Sequence, residues 1–176
     1  MVAEGRAAIG ITAVGPGRTE PGDGLEELEL LSDEVIVAVP ADHPWHGRKR
    51  IPRKAFLQTS PVMRDPGAHD RRCAEAVPAE HGLEFAEPLV EVGSTAVAKR
   101  EAIQRSAPVL ISRLSLDEAH DRLFRRSVEG LTFPRSFAII CRSVASLRRQ
   151  DRDLVSFLRR RSRAEAQEAE ASDGAA

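Results

Sequence analysis

The run Val35–Pro40 (Val-Ile-Val-Ala-Val-Pro) leads directly into Ala41-Asp42-His43-Pro44-Trp45. An acid beside an imidazole is a pairing that general acid–base chemistry uses. Adjacent residues on an extended segment point to opposite sides, so Asp42 and His43 do not easily form a dyad with each other. No Gly-x-Ser-x-Gly nucleophile elbow accompanies them. His43, His46 and Asp42 raise a metal reading, but they lie on a Pro-containing loop without ligand spacing, and no His-Glu-x-x-His helix is present. His69, His81 and His120 stand apart in the sequence. Neither a metal nor a cofactor is expected. The favoured reading is structural: His43-Pro44 holds an extended hinge, because proline restricts the residue before it, and Trp45 packs over the start of a second lobe. The rival, a small α/β enzyme using Asp42 and His43, requires His43→Ala to abolish activity with folding intact.

Gly93-Ser94-Thr95 follows a strand pattern and opens a helix pattern. Backbone amides and hydroxyls in that setting can hold a carboxylate or phosphate, helped by the helix dipole. A plain N-cap uses the same residues, and spacing alone does not decide between the two. Gly67-Ala68-His69 repeats the arrangement, with Arg64 as a counter-charge to an acid. Thr12 ends the first strand. Cys73 and Cys141 are far apart, in apolar settings and without Cys-x-x-Cys spacing, which predicts buried free thiols.

These residues need a frame to position them. Arg6–Val14 is β-rich and ends at the turn Gly15-Pro16-Gly17, within a loop over 15–24. Leu25–Leu31 reads as an edge strand. Val35–Val39 and Ser136–Cys141 are apolar on both faces, as strands in a covered sheet are. Between them, strands at 61–64, 88–92, 108–112 and 123–128 alternate with helices at 51–58, 69–81, 95–105 and 115–121. Gly82 ends the second helix and Ser94 caps the third. Ser115 and Glu118 have capping-box spacing for the fourth. A last helix runs from about Ser146 to Ala164, with Leu147, Leu154, Phe157 and Leu158 as its apolar stripe. Arg148, Arg149, Arg152, Arg159, Arg160 and Arg163 lie off that stripe on a solvated face. The alternation predicts an α/β protein with mainly parallel sheets, as two lobes joined by two crossing strands.

The chain has 176 residues, 41% hydrophobic and 30% charged, with a net charge of −1. That balance supplies a core, and gives no general pull toward nucleic acid or anionic membrane. The total charge neither shows nor excludes a basic face of the kind DNA-binding proteins carry. No signal peptide opens the sequence and no apolar run approaches the ~20 residues of a membrane helix, so the cytoplasm is the expected compartment and no membrane partner is expected.

DEVIVAVPADHPWHGRKRIP resembles the crossover strand of LysR-type transcriptional regulators, an apolar run followed by Pro-x-x-His-Pro. RDPGAHDRR (64–72) resembles that family's turn into a helix. HGLEFAEPLVEVGSTAVAKREAI (81–103) resembles its Gly-Leu, strand, Gly-Ser-Thr, helix segment. APVLISRLSLDE and LTFPRSFAIICR resemble the following strand and the returning strand, and Arg6–Val14 the end of an earlier one. The sequence departs from the family at Gln104-Arg105-Ser106-Ala107, where a glycine-rich turn is usual, and at Ala7-Ala8, where an acid is usual.

The resemblance implies a type 2 periplasmic-binding-protein-like α/β fold with two Rossmann-like lobes. Lobe I would comprise 1–40 and 135–164 and be incomplete, lobe II would comprise 41–134, and 165–176 would be a disordered tail. The family's winged helix-turn-helix is not recognisable in the sequence, so DNA binding is expected only through a missing N-terminal domain. The implied function is non-enzymatic sensing of a small-molecule effector, an organic or aromatic acid, in a homodimer. Thr12, Arg64, Gly67, Ala68, Gly93, Ser94 and Thr95 would contact the effector, and Val39, Pro40, Pro134 and Arg135 would form the hinge. A solute-binding protein of the same fold and a non-functional fragment are the alternatives.

Overall fold

A computed structural model of the chain describes residues 1–16 and 24–173, with side chains through residue 164. Most of the loop expected over 15–24 lies outside the described residues. The strands are β1 (Ile9–Val14), β2 (Glu26–Pro40), β3 (Arg50–Ile51), β4 (Val62–Arg64), β5 (Val90–Val92), β6 (Val109–Ser112), β7 (Leu123–Val128) and β8 (Phe133–Cys141). The helices are α1 (Arg53–Leu57), α2 (His69–Ala79), α3 (Thr95–Gln104), α4 (Glu118–Asp121) and α5 (Arg149–Asp173).

The chain divides into two compact units. Of the described residues, 1–14, 24–32 and 136–173 fall in the first, and 15–16 and 33–135 in the second. The division therefore falls at 32/33 and 135/136, where the sequence reading sets it at 40/41 and 134/135. Val35–Val39 belong to the second unit because they form the inner strand of its sheet, flanked by β6 and β7. The expected hinge residues Val39 and Pro40 accordingly lie inside that sheet, opposite Phe124 and Leu123. Arg135 is the last residue of the second unit, with Pro134 before it.

In the second unit the strand order is β2-β6-β4-β5, with β7 pairing β2 and β3. The sheet is mixed rather than mainly parallel. β4 runs parallel to β5 and β6, and β3 to β7, while β2 is antiparallel to both of its neighbours there. Its five apolar residues alternate between two cores. Val35, Val37 and Val39 pack with Phe56, Met63, Leu110 and the Cys73–Ala74–Val77 face of α2. Ile36 and Ala38 pack with Val62, Val109, Ile111 and the Ala98–Ala102 face of α3. A helix on each side explains why the run has no polar alternation. Each buried Val or Ile contributes about 1.5–3 kcal/mol, an upper bound because unfolded chains already bury some surface.

In the first unit β1 pairs antiparallel with β8, from Ile9 opposite Cys141 to Val14 opposite Ser136, and β2 borders β8. The core there is Ile139, Cys141, Leu147 and Val155, with Ile9, Leu28, Leu30 and Leu158 against it.

Four local features differ from the sequence reading. β2 is one strand of 15 residues, not two. The polar triplet Ser32-Asp33-Glu34 does not break it, because the buried Asp33 carboxylate accepts from Ser112 Oγ and Arg135 Nε, each at 2.7 Å. After Pro40 the chain turns instead of extending: His43 N donates to Pro40 O at 3.1 Å and His46 N to His43 O at 2.8 Å. α4 is capped by Asp117, whose carboxylate accepts from the Ala119 and His120 amides, while Glu118 accepts from Arg125 N at 2.8 Å instead of reaching back to Ser115. α5 continues over 165–173, where a disordered tail is expected, because Glu, Ala and Gln are strong helix formers even without an apolar face. Its inward positions are Val155, Leu158 and Ser162, whereas Leu154 and Phe157 are exposed.

Candidate functional site

Parallel strands β4 and β5 deliver their C-terminal ends side by side, with Arg64 opposite Val92. Each strand is followed by a turn and a helix, so the N-termini of α2 and α3 open at the same sheet edge. Asp65 N donates to Val92 O at 3.0 Å, which ties the two turns together. Arg64 ends β4, and its guanidinium Nη1 donates to Thr95 Oγ1, the first residue of α3, at 3.1 Å. Two acids flank it, Asp65 at 3.6 Å and Asp70 at 3.9 Å. Both separations exceed a good charge-assisted hydrogen bond. Arg64 Nε is buried with no partner among the described residues.

Ser94 caps α3 by accepting from Val97 N at 3.3 Å. Ala98 N bonds to Ser94 O, so the amides of Thr95 and Ala96 are left without a partner among the described residues. At α2 the preceding residue Ala68 offers no capping side chain, and Asp70 Oδ1 accepts from Arg71 N at 3.0 Å. Gly67 is close-packed: a Cβ there would lie 3.1 Å from Asp65 Oδ1, and Gly67 O accepts from Arg72. A Cβ at Gly93 would meet nothing within 4 Å, so neither packing nor backbone conformation demands glycine at that position.

Of the expected effector residues, the second unit therefore brings together Arg64, Gly67, Ala68, Gly93, Ser94 and Thr95. Thr12 belongs to the first unit, on β1 opposite Ala138. Sequence reasoning missed Asp70 and Arg71. Arg71 Nη1 donates to Arg64 O at 3.2 Å, and its guanidinium also pairs with Glu75 at 2.7 Å and with Glu91. Partial burial opposes the Arg71 charge, but the two glutamates outweigh this and raise its pKa above the ordinary arginine value. The chain of contacts braces the backbone from which Arg64 projects. The one signal in the sequence was the charge density of Arg64–Arg72 itself.

The other candidate chemistry does not assemble. His43 Nδ1 accepts from Trp45 N at 3.1 Å, and the Asp42 carboxylate accepts from Ser106 Oγ. Burial pushes the His43 pKa below its ordinary value, against the pull of Asp42, so the ring is a neutral acceptor inside a turn. Trp45 packs 6.4 Å from Phe56. Both cysteines are free and buried, and burial pushes the Cys73 thiol up to about 11. Among the described residues no three His, Cys, Asp or Glu side chains gather as a metal site, and no helix is long and apolar enough to cross a membrane.

The family model described as the LysR substrate binding domain matches residues 1–163. An uncharacterized HTH-type transcriptional regulator of Mycobacterium tuberculosis (strain ATCC 25618 / H37Rv) is 28% identical over 126 residues, which are 68% of this chain and 40% of that protein. The chain thus spans less than half the length of this relative. Among solved structures, the Synechocystis PCC6803 CcmR regulatory domain in complex with 2-PG superposes with a TM-score of 0.77 at 17% identity, over 92% of this chain and 76% of that one. The effector binding domain of QuiR in complex with shikimate gives a TM-score of 0.76 at 14% identity, over 93% and 75%.

Proposed function

Because the chain belongs to the LysR substrate binding domain family, we propose that it senses a small organic anion and thereby tunes transcription. The observation that carries this reading is the under-satisfied cation Arg64, set beside two helix N-termini. A carboxylate or phosphate there would gain the guanidinium, the Thr95 hydroxyl and the free first-turn amides of α3. Ser94, Gly67, Ala68 and Gly93 shape the approach, and Arg71 positions Arg64. We read the role as binding rather than catalysis, in keeping with the family. Such a ligand regulates by contacting one conformational state better than another. We place sequence-specific DNA reading in a winged helix-turn-helix outside residues 1–176, and the working form in a cytoplasmic homodimer.

The test is a thermal-shift panel of small carboxylates and phosphates that begins with shikimate and 2-PG, the compounds in the two neighbouring complexes. A site on Arg64 gives a saturable rise in Tm with at least one acid, reaching about 2.7 kcal/mol of stabilisation at a hundred times Kd. Arg64→Gln abolishes that response. A panel with no hit, or an Arg64→Gln chain that responds like the parent, overturns the reading.

A further inference from the structure

The chain as a whole is nearly neutral, but one face of the second unit is not. Residues 46–54 read His-Gly-Arg-Lys-Arg-Ile-Pro-Arg-Lys, with cations at Arg48, Lys49, Arg50, Arg53 and Lys54 and no acid. Parallel pairing of β3 with β7, Arg50 opposite Ser127, sets this stretch beside Arg125 and Arg126. His46, Arg48, Lys49, Arg125 and Arg126 line one hollow of about 360 Å³. Arg50, Arg125 and Arg126 rim a second of about 490 Å³, with Glu34 beside them and the buried Val128 and Phe133 in its lining. The Arg53 guanidinium lies next to Gly130, 3.9 Å from where a Cβ would stand.

The acids at this face are Glu34, paired with Arg125 at 2.7 Å, Glu118, which accepts from Arg125 N at 2.8 Å, and the exposed Glu129. Arg126 is spent on the carbonyls of Trp45 and His46, at 3.1 and 3.0 Å from its Nε. Arg48, Lys49, Arg50, Arg53 and Lys54 are exposed and form no ion pair among the described residues. Like charges gathered this way repel one another unless an anion neutralises them.

The chemistry of the face narrows the partner. Among the described residues the exposed large apolar side chains are Met1, Ile11, Leu89, Leu114, Leu154 and Phe157, none of them in the basic stretch. The face therefore presents no fully exposed large apolar side chain of the kind by which membrane-surface elements and protein interfaces hold their partners, and Phe124 there is half-buried between His46 and Arg126. Arginine predominates over lysine, and its planar fork suits phosphate oxygens. Duplex DNA offers phosphates most densely, about one charge per 1.7 Å of axis. We propose that the β3–β7 face of the second unit holds the phosphate backbone of duplex DNA without reading its sequence.

The arginines of α5 make a different surface, where exposed Leu154 and Phe157 stand among them and Arg149 pairs with Asp153 at 4.0 Å. They supply the control. Binding of the 176-residue chain to a labelled 30-base-pair duplex of arbitrary sequence is followed by fluorescence anisotropy. Five phosphate contacts weaken affinity by roughly several-hundred-fold between 50 and 200 mM salt. The triple variant Arg48→Glu, Lys49→Glu, Arg50→Glu loses at least about tenfold at 50 mM and flattens the salt slope. The double variant Arg53→Glu, Lys54→Glu loses less, and Arg159→Glu, Arg160→Glu, Arg163→Glu leaves binding intact. The substituted positions are exposed except for the half-buried Arg159, and equal melting temperatures verify folding. No binding at 50 mM salt, equal losses from the β3 and α5 variants, or tighter binding of polyglutamate than of DNA would each overturn the assignment.

Discussion

Two arginines in the second unit sit among carboxylates with opposite outcomes. The Arg135 side chain is 6% exposed and meets the fully buried Asp33 carboxylate at 2.7 Å. Ser112 donates to the same carboxylate at 2.7 Å, and Leu114 N lies 3.5 Å from its other oxygen. Arg64 is 22% exposed, its two acids stand at 3.6 and 3.9 Å, and one of its nitrogens is unbonded. The residue types are the same. A network closed on itself fixes the chain where it leaves the unit, whereas an open one keeps bonding capacity for something that arrives later. On the function proposed above, partner distance and saturation, more than charge, separate the structural Arg135 from Arg64.

The largest effect is expected on the closed side. Asp33→Ala strands the Arg135 charge in a dry site and costs about 3–5 kcal/mol, read as a lower urea midpoint. A loss below about 1 kcal/mol would place Asp33 with the surface pairs and dissolve the contrast. On the open side, Arg64→Gln changes stability by less than about 1 kcal/mol, because its pairs are long and partly exposed. Its effect is on the response to added acids, which disappears. Equal destabilisation by Arg64→Gln and Asp33→Ala would make both networks structural.

A smaller effect concerns His43, which burial holds neutral below its ordinary pKa of 6.5. The unfolded chain then binds the proton more readily than the folded one. The contribution of this ring to stability is complete above pH 6.5 and is lost as pH falls through the folded value. Urea midpoints taken from pH 7.5 to 5 should decline less in His43→Gln than in the parent. The smallest effect on stability is Gly93→Ala, which meets open space and leaves Tm unchanged or slightly raised. Any loss of acid affinity in that variant maps the ligand to the space above α3.

The apolar strands Val35–Val39 and Ser136–Cys141, the Ser94 cap and the turn at Gly82 were legible in the sequence because each rests on local rules. Gly82 has a φ of +67°, and Leu83 N closes the end of α2 on Pro78 O at 3.0 Å. What escaped depended on distant residues. Ser32-Asp33-Glu34 looks like a strand break until Arg135, 102 positions away, neutralises it. Asp117 outcompeted Ser115 as a cap, and a list of capping residues does not rank neighbours. The candidate site was half legible: its Gly-Ser-Thr and Arg64 stand out, but the bracing by Asp70 and Arg71 depends on where β5 places Glu91. The basic face was invisible for the same reason, since the β3–β7 pairing joins stretches some distance apart in a chain whose charges nearly cancel.

Trp45 is the one tryptophan of the chain, which has no tyrosine. It is 7% exposed, edge-on to the His43 ring at 4.9 Å and packed in the second unit's core. Intrinsic emission therefore reports the melting of that unit alone, while ellipticity also draws on the 25 residues of α5 in the first. Recording both signals on one sample, with no label attached, reveals whether the halves come apart in one step or two.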